Sequence, residues 1–354
     1  MSDPSHDGSF SLQQKSMYYY SNEIVFRGHP DKVCDQISAA ILKECMKQDK
    51  NTRAGIETVG GKGKIFITGE VTTTAVIDVE KIAKAVLADV GYSTDYEIID
   101  NLGKQSADIA LGTCDEVGGA GDQGMMFGYA CDDTPQHLPK AMVMCQKFAE
   151  WYDENRKKDS RFLPDGKCQI TGKYEAGQKL TEIVTWTISY QNTETDREST
   201  DEIIRKKAIE IAGEFGVEVK EFLINPTGKF LVGGFDGDAG LTGRKIVVDA
   251  YQSFANVGGG CMNGKDPTKV DFSAAHKARE IAVRYLADGR HWVEVQISYA
   301  IGMEKPLAIY IHSDDGDINA PESLYEECTP ARIIKDLKLK EIDYIELAKF
   351  GHFR

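Results

Sequence analysis

Residues Gly233 to Asp271 read GGFDGDAGLTGRKIVVDAYQSFANVGGGCMNGKDPTKVD, with nine glycines, five aspartates and four cationic side chains (Arg244, Lys245, Lys265, Lys269) in thirty-nine positions. A long helix or strand is disfavoured over such a stretch, because glycine gives up more backbone entropy on ordering than any other residue. The segment must be a set of turns held by the rest of the molecule, and its composition suits wrapping around a ligand. Glycine lets main-chain N–H groups approach closely, aspartate holds divalent cations, and lysine and arginine face anionic oxygens. A polyphosphate carrying magnesium answers all three. Two shorter islands point the same way, GHPDK over Gly28 to Lys32 and GAGDQG over Gly119 to Gly124.

The remaining chain must supply the scaffold, and its 354 residues suffice for two or three compact units. Helical spacing puts Val33, Ile37, Ala40 and Ile41 on one face, and helices are also expected near 82–90, 136–152, 201–216, 273–287 and 333–339. Alternating runs predict strands near 64–74, 183–189, 292–301 and 307–312, with Glu70 pointing away from the face of Ile65 and Ile67. Strands joined by short turns, with helices in each third, predict an α+β fold of related units over 17–115, 116–235 and 236–354. Residues 1–16 lack the basic start and apolar core of a signal peptide and read as a disordered leader on a cytoplasmic protein. No long apolar span points to a membrane. The net charge of −14 argues against a nucleic-acid partner, and eight scattered cysteines without a C-x-x-C pair fit free thiols in a reducing compartment.

Each candidate residue also has a plainer reading. His29, Pro30 and Asp31 make an ordinary helix entry, although the same helix start can hold a phosphate oxygen and its metal. GAGDQG matches a dinucleotide-loop pattern, but an apolar strand-like run, MMFGYA, follows it instead of a helix, so the Rossmann reading is weak and Asp122 stands as a candidate functional carboxylate. Lys265 and Lys269 could be a solvated turn, a reading that the preceding GGG disfavours. Arg244 beside Lys245 offers a bidentate fork next to a point charge, a pairing suited to polyphosphate. Phe230 would by default be core.

Taken together, GHPDK, GAGDQGMMFGY, INPTGKF, GDAGLTGRKIVVDAY and GKDPTKVD resemble the S-adenosylmethionine synthetase family in order and approximate spacing, from about Ser21 to Phe353. The resemblance implies three α+β subdomains in a pseudo-threefold arrangement. It also implies a homodimer with shared active sites, commonly paired into a dimer of dimers, acting on ATP and L-methionine. His29 would contact the oxygen leaving C5′ of ATP, Asp31 and Asp271 would bind two Mg²⁺ per site, and Glu57 would lie at a K⁺ site, one per subunit. Glu70 and Gln105 would hold the methionine amino and carboxylate groups, with Lys269 and Asp238 nearby. Asp165, Lys167, Ser189, Lys229, Phe230, Cys261 through its backbone, and Ile301 would shape the nucleotide pocket. Arg244, Lys245 and Lys265 would neutralise the triphosphate, and Asp122 would serve the substrates and their metal shell.

Displacement of a whole triphosphate by a neutral sulfur needs no general base. It needs alignment and a fixed positive environment for the departing oxygens. The sequence departs from the family pattern at Arg27, Ala107, Asn192, Lys229, Gln252, Ser253, Met262 and Asn263, and the segment from Gln105 to Asp122, a mobile loop in the family, looks short. None of these changes removes a residue of the inferred catalytic set, so an active enzyme is expected. A regulatory homologue and a Mg²⁺-dependent polyphosphate hydrolase are the rival readings. Glu70 and Gln105 are residues that a hydrolase would not need.

Overall fold

The computed structural model describes residues 17–104, 119–175 and 178–354. The leader, Gln105, Ala107 and Cys114 lie outside the described residues. The first third runs β1 (Tyr18–Val25), α1 (Pro30–Gln48), β2 (Arg53–Gly61), β3 (Lys64–Thr72), α2 (Val79–Val90) and β4 (Glu97–Gly103). The second runs β5 (Gly124–Cys131), α3 (Lys140–Arg156), β6 (Phe162–Glu175), β7 (Lys179–Asn192), α4 (Arg197–Glu214) and β8 (Val219–Ile224). The third begins with the single turn α5 (Gly234–Gly237), the two-residue β9 (Gly240–Leu241) and the turn α6 (Ile246–Asp249). It continues as α7 (Val270–Leu286), β10 (Trp292–Tyr299), β11 (Ala308–Ser313), β12 (Gly316–Ile318), α8 (Glu322–Glu327), α9 (Pro330–Asp336) and α10 (Tyr344–Phe350). Up to Lys269, just before α7 begins, the glycine-rich stretch thus holds only one-turn helices and a two-residue strand, as its composition requires.

These elements form three four-stranded sheets in the orders β4-β3-β2-β9, β1-β6-β7-β8 and β12-β11-β10-β5. The architecture is therefore α+β with three related units. Each sheet is built on an antiparallel hairpin, β2/β3, β6/β7 or β10/β11. In the first two, a helix crossover adds a parallel strand beside the second hairpin strand. In the third, β12 follows directly and pairs antiparallel.

The open edge of each hairpin is filled from elsewhere in the chain. β9 pairs with β2, β1 with β6, and β5 with β10. Each third thus gives its first strand to the sheet of another third, in a closed cycle.

One face of each sheet is covered by a helix. α1 packs on β2 and β9, α3 on β1 and β6, and α7 on β5 and β10. Alternation along the strands makes this possible, since Val293, Val295 and Ile297 of β10 are fully buried while their neighbours face outward. The approach of β5 to α7 is close enough to require glycine, because a Cβ at Gly128 would lie 2.0 Å from the Ala278 carbonyl carbon. α1 departs from the amphipathic expectation. From Pro30 to Leu42 it is buried on every side, and the polar side chains among those residues are largely taken up by ion pairs and hydrogen bonds.

Candidate active site

The start of α1 and the loop after β9 build the first part of the site together. His29 caps the helix, its Nδ1 accepting the Asp31 amide at 3.2 Å. Asp31, 1 % exposed, accepts the Leu241 amide at 2.9 Å and meets Lys245 Nζ at 2.5 Å and Arg244 Nε at 3.5 Å. Close backbone contact makes this possible, since a Cβ at Gly240 would lie 2.3 Å from the Pro30 carbonyl oxygen. Burial, reinforced by Lys245, pulls the His29 imidazole down to about 4, against the opposing pull of Asp31 and Asp238. The ring is therefore neutral at physiological pH and can act as a hydrogen-bonding group without adding charge. Asp165 on β6 stands behind it, accepting the Gly234 amide at 2.8 Å, and burial lifts its carboxyl to about 6.

The second part is an open cavity of about 660 Å³ whose lining includes Glu57, Glu70, Asp122, Cys261, Lys265, Lys269 and Ile301. The two-residue periodicity of a strand places Glu57 on β2 and Glu70 on β3 to face it. Lys269 Nζ lies 2.8 Å from Glu70 Oε1, and Lys265 pairs with Asp271 on the first turn of α7. The loop is pinned to β2 on both sides of Lys265, where the Ile56 amide donates to the Gly264 carbonyl at 2.9 Å and the Ala54 amide to Asp266 at 2.8 Å. The two parts are joined by the loop after β9. Thr242 lines the cavity, and Lys245, three residues on, reaches Asp31.

Beneath both parts lies a buried polar chain. Lys32 Nζ meets Asp249 at 2.5 Å and Asp35 at 3.1 Å. Burial works against the charge of Lys32, yet the two carboxylates lift it to about 12, while burial raises Asp249 to about 6. Asn263 Nδ2 donates to Asp249 at 2.9 Å, His352 Nε2 lies 2.9 Å from Asn263 Oδ1, and His352 Nδ1 lies 3.3 Å from His276 Nε2.

The expected residues therefore gather as two adjacent groups. Asp238 lies close enough to shift His29, as does Lys167, which sits opposite Ser189 in the β6/β7 pairing. The backbone at Phe230 joins this end, its carbonyl accepting the Asn192 amide at 2.9 Å. Lys229 turns outward, 3.8 Å from Glu194, with its side chain 76 % exposed. Gln105 lies outside the described residues. Burial raises the Cys261 thiol well above its usual range, so no thiolate nucleophile stands in the cavity wall there. Reading the sequence did not find Lys104, which lines the cavity, nor Lys32, Asp249, Asn263 and His352. Lys104 had a signal in its neighbour Gln105, whereas the other four are joined by contacts far apart in sequence.

Three family models match the chain: S-adenosylmethionine synthetase N-terminal domain over residues 17–109, central domain over 117–230 and C-terminal domain over 232–354. The chain is 39% identical to the S-adenosylmethionine synthase of Synechococcus sp. (strain RCC307), covering 96% of this chain and 95% of that protein. It is likewise 39% identical to that of Clostridium tetani (strain Massachusetts / E88), over 94% and 93% of the two.

Proposed function

Because the chain belongs to the S-adenosylmethionine synthetase family and is thus a transferase, we propose that it joins ATP and L-methionine by attack of the methionine sulfur on C5′. The C5′–O5′ bond breaks, tripolyphosphate departs, and its hydrolysis in the same pocket leaves phosphate and diphosphate. One observation carries this reading. Arg244 and Lys245 rest on Asp31, Lys265 on Asp271 and Lys269 on Glu70, so these four cations stand on carboxylates beside the space a substrate would take.

Arg244, Lys245 and Lys265 would turn from these partners to the triphosphate, where charge grows as the bond breaks. Preorganised cations of this kind lower the barrier because the protein has already met the cost of orienting them. Neutral His29 would donate to the departing O5′. Glu70 and Lys269 present both signs of charge within one ion pair, matching the ammonium and carboxylate of a zwitterionic amino acid, with Gln105 and Asp238 as further contacts. Asp165, Lys167, Ser189, Lys229, Phe230, the Cys261 backbone and Ile301 would bound the nucleoside. Their task is alignment of sulfur, carbon and leaving oxygen, and alignment supplies much of the rate of such a displacement.

Among the described residues no group of three or more His, Cys, Asp or Glu is placed to hold a metal by itself. Mg²⁺ is commonly held by one or two carboxylates plus substrate phosphates, and the donor set at Asp31 and Asp271 fits that pattern, with Asp122 in the outer shell. Two Mg²⁺ so held would supply positive charge to the triphosphate oxygens, and Glu57 would take a K⁺. The chain would work as a homodimer with shared sites, possessing the open sheet faces that a partner could cover, on which Val59 and Met125 are 41% and 56% exposed. Pairing of two dimers would give a tetramer. The described residues include no helix long and apolar enough to cross a membrane.

ATP carrying ¹⁸O at the C5′ bridging position tests the bond that breaks. The label should leave entirely in the inorganic phosphates. Label retained on an adenosine-containing product would show cleavage at phosphorus and support the hydrolase reading.

A further inference from the structure

The last turns of the chain reach back into the site. Gly351 to Phe353 is buried, the His352 amide donates to the Asp249 carbonyl at 2.8 Å, Gln146 holds the Phe353 carbonyl at 2.8 Å, and the Phe353 ring stacks on Tyr251. The direction of each hydrogen bond in the buried chain follows from chemistry. Asp249, an ionised carboxylate at neutral pH, can only accept, so the Asn263 amide nitrogen must face it and the Asn263 oxygen must face His352. His352 Nε2 therefore carries the hydrogen. With that nitrogen protonated in a neutral ring, Nδ1 is the acceptor, and His276 must donate to it.

Asn263 sits in the cavity wall between Cys261 and Lys265. The main chain on either side of Lys265 is fixed to β2 through Gly264 and Asp266. Beside Gly264 the Asn263 side chain adds a further anchor, clamped between Asp249 and His352. We propose that His352 is a positioning residue for the transfer site, its Nε2–H holding Asn263 so that the loop presents Lys265 to the triphosphate. This rests on the reading that Lys265 faces the triphosphate. His352 touches no reacting atom. Its effect is to keep a cation in place, so it should show in triphosphate binding and turnover and leave the methionine end, held by Glu70 on β3 and by Lys269 at the cap of α7, unchanged.

The test uses the full chain, with calorimetric binding of inorganic tripolyphosphate in the presence of Mg²⁺ and steady-state kinetics with ATP and methionine. Loss of one buried hydrogen bond in His352→Phe should weaken tripolyphosphate binding and lower kcat on the order of 10-fold, with KM for methionine within about twofold. His352→Gln, which retains a side-chain N–H, should recover most of the loss. Asn263→Ala should match His352→Phe, and the double variant should be no worse than either alone, because both break the same link. Lys265→Met serves as the control. If it binds tripolyphosphate as the parent does, the reading of the cavity fails, and the proposal with it. If Lys265→Met loses binding while Asn263→Ala and His352→Gln are both indistinguishable from the parent and His352→Phe shifts only the melting temperature, the positioning role is wrong and the cavity reading stands. Losses that multiply in the double variant would also overturn the positioning role.

Discussion

Arg244 and Lys265 stand at the two ends of the site, one on Asp31 and the other on Asp271. If their task is to meet charge that develops on the leaving triphosphate, Arg244→Leu and Lys265→Met should each lower kcat on the order of 10²-fold, with a much smaller change in methionine KM. Turnover within a few-fold of the parent for both would remove the leaving-group assignment. A second residue-scale expectation concerns His276, whose imidazole burial pulls down from 6.5 to about 4. Between those values the unfolded chain binds more protons than the folded one, so this group's share of stability is full above pH 6.5 and is lost as pH falls toward 4. Asp165 and Asp249, raised to about 6, act in the opposite sense below that pH, so the comparison must isolate the histidine. The gap in melting temperature between the parent and His276→Phe should move against the parent on going from pH 7.5 to 5.5. A gap independent of pH would show that His276 does not titrate as its burial requires. Residue types at the site were legible, because aspartate, lysine and arginine among glycines have few other uses. Their partners were not. The Asn263 to His352 contact joins residues 89 positions apart, and no periodicity spans that distance.

At the scale of elements, hairpins and helices followed from alternation and helical spacing, while the pairing of edge strands did not. β1, read as part of the first unit, lies in the sheet of β6 to β8, and β5 and β9 are likewise carried elsewhere. Such pairings depend on which edge is open in the folded molecule, and a strand's own sequence reports only its faces. α1 shows the same limit. Val33, Ile37 and Ile41 promised one apolar face, but sheet, loop and α10 surround the helix, and Lys32, Asp35 and Gln36 are buried as well. The seat of α7 on β5 matters for function because Asp271 lies on the first turn of that helix. Gly128→Ala would place its Cβ 2.0 Å from the Ala278 backbone, which cannot give way as a side-chain tip would. A loss of about 1–3 kcal/mol in denaturant unfolding is expected. A variant as stable as the parent would mean that β5 and α7 can part without cost.

Across the whole molecule, the cyclic exchange of β1, β5 and β9 ties the three units into one body, so the first third supplies Glu57 and Glu70 while the last supplies Asp238, Arg244 and Lys245. If each complete pocket joins two chains, specific activity should fall with dilution along with dimer content. If His29 and Lys265 serve a given site from opposite subunits, mixed His29→Ala and Lys265→Ala chains should regain activity once subunits exchange, since one site of each heterodimer is then intact. An active monomer in sedimentation, or no recovery after verified exchange, would rule out shared sites. On this reading the cations of the site release triphosphate only when methionine sulfur attacks the nucleotide. The most direct test is phosphate release from ATP by the purified protein with Mg²⁺ and K⁺, with and without L-methionine, alongside mass-spectrometric quantitation of the sulfonium product. S-adenosylmethionine, phosphate and diphosphate should form in equal amounts, with release from ATP negligible in the absence of methionine. Phosphate released at the same rate without methionine, or released with methionine but without the sulfonium product, would contradict that reading.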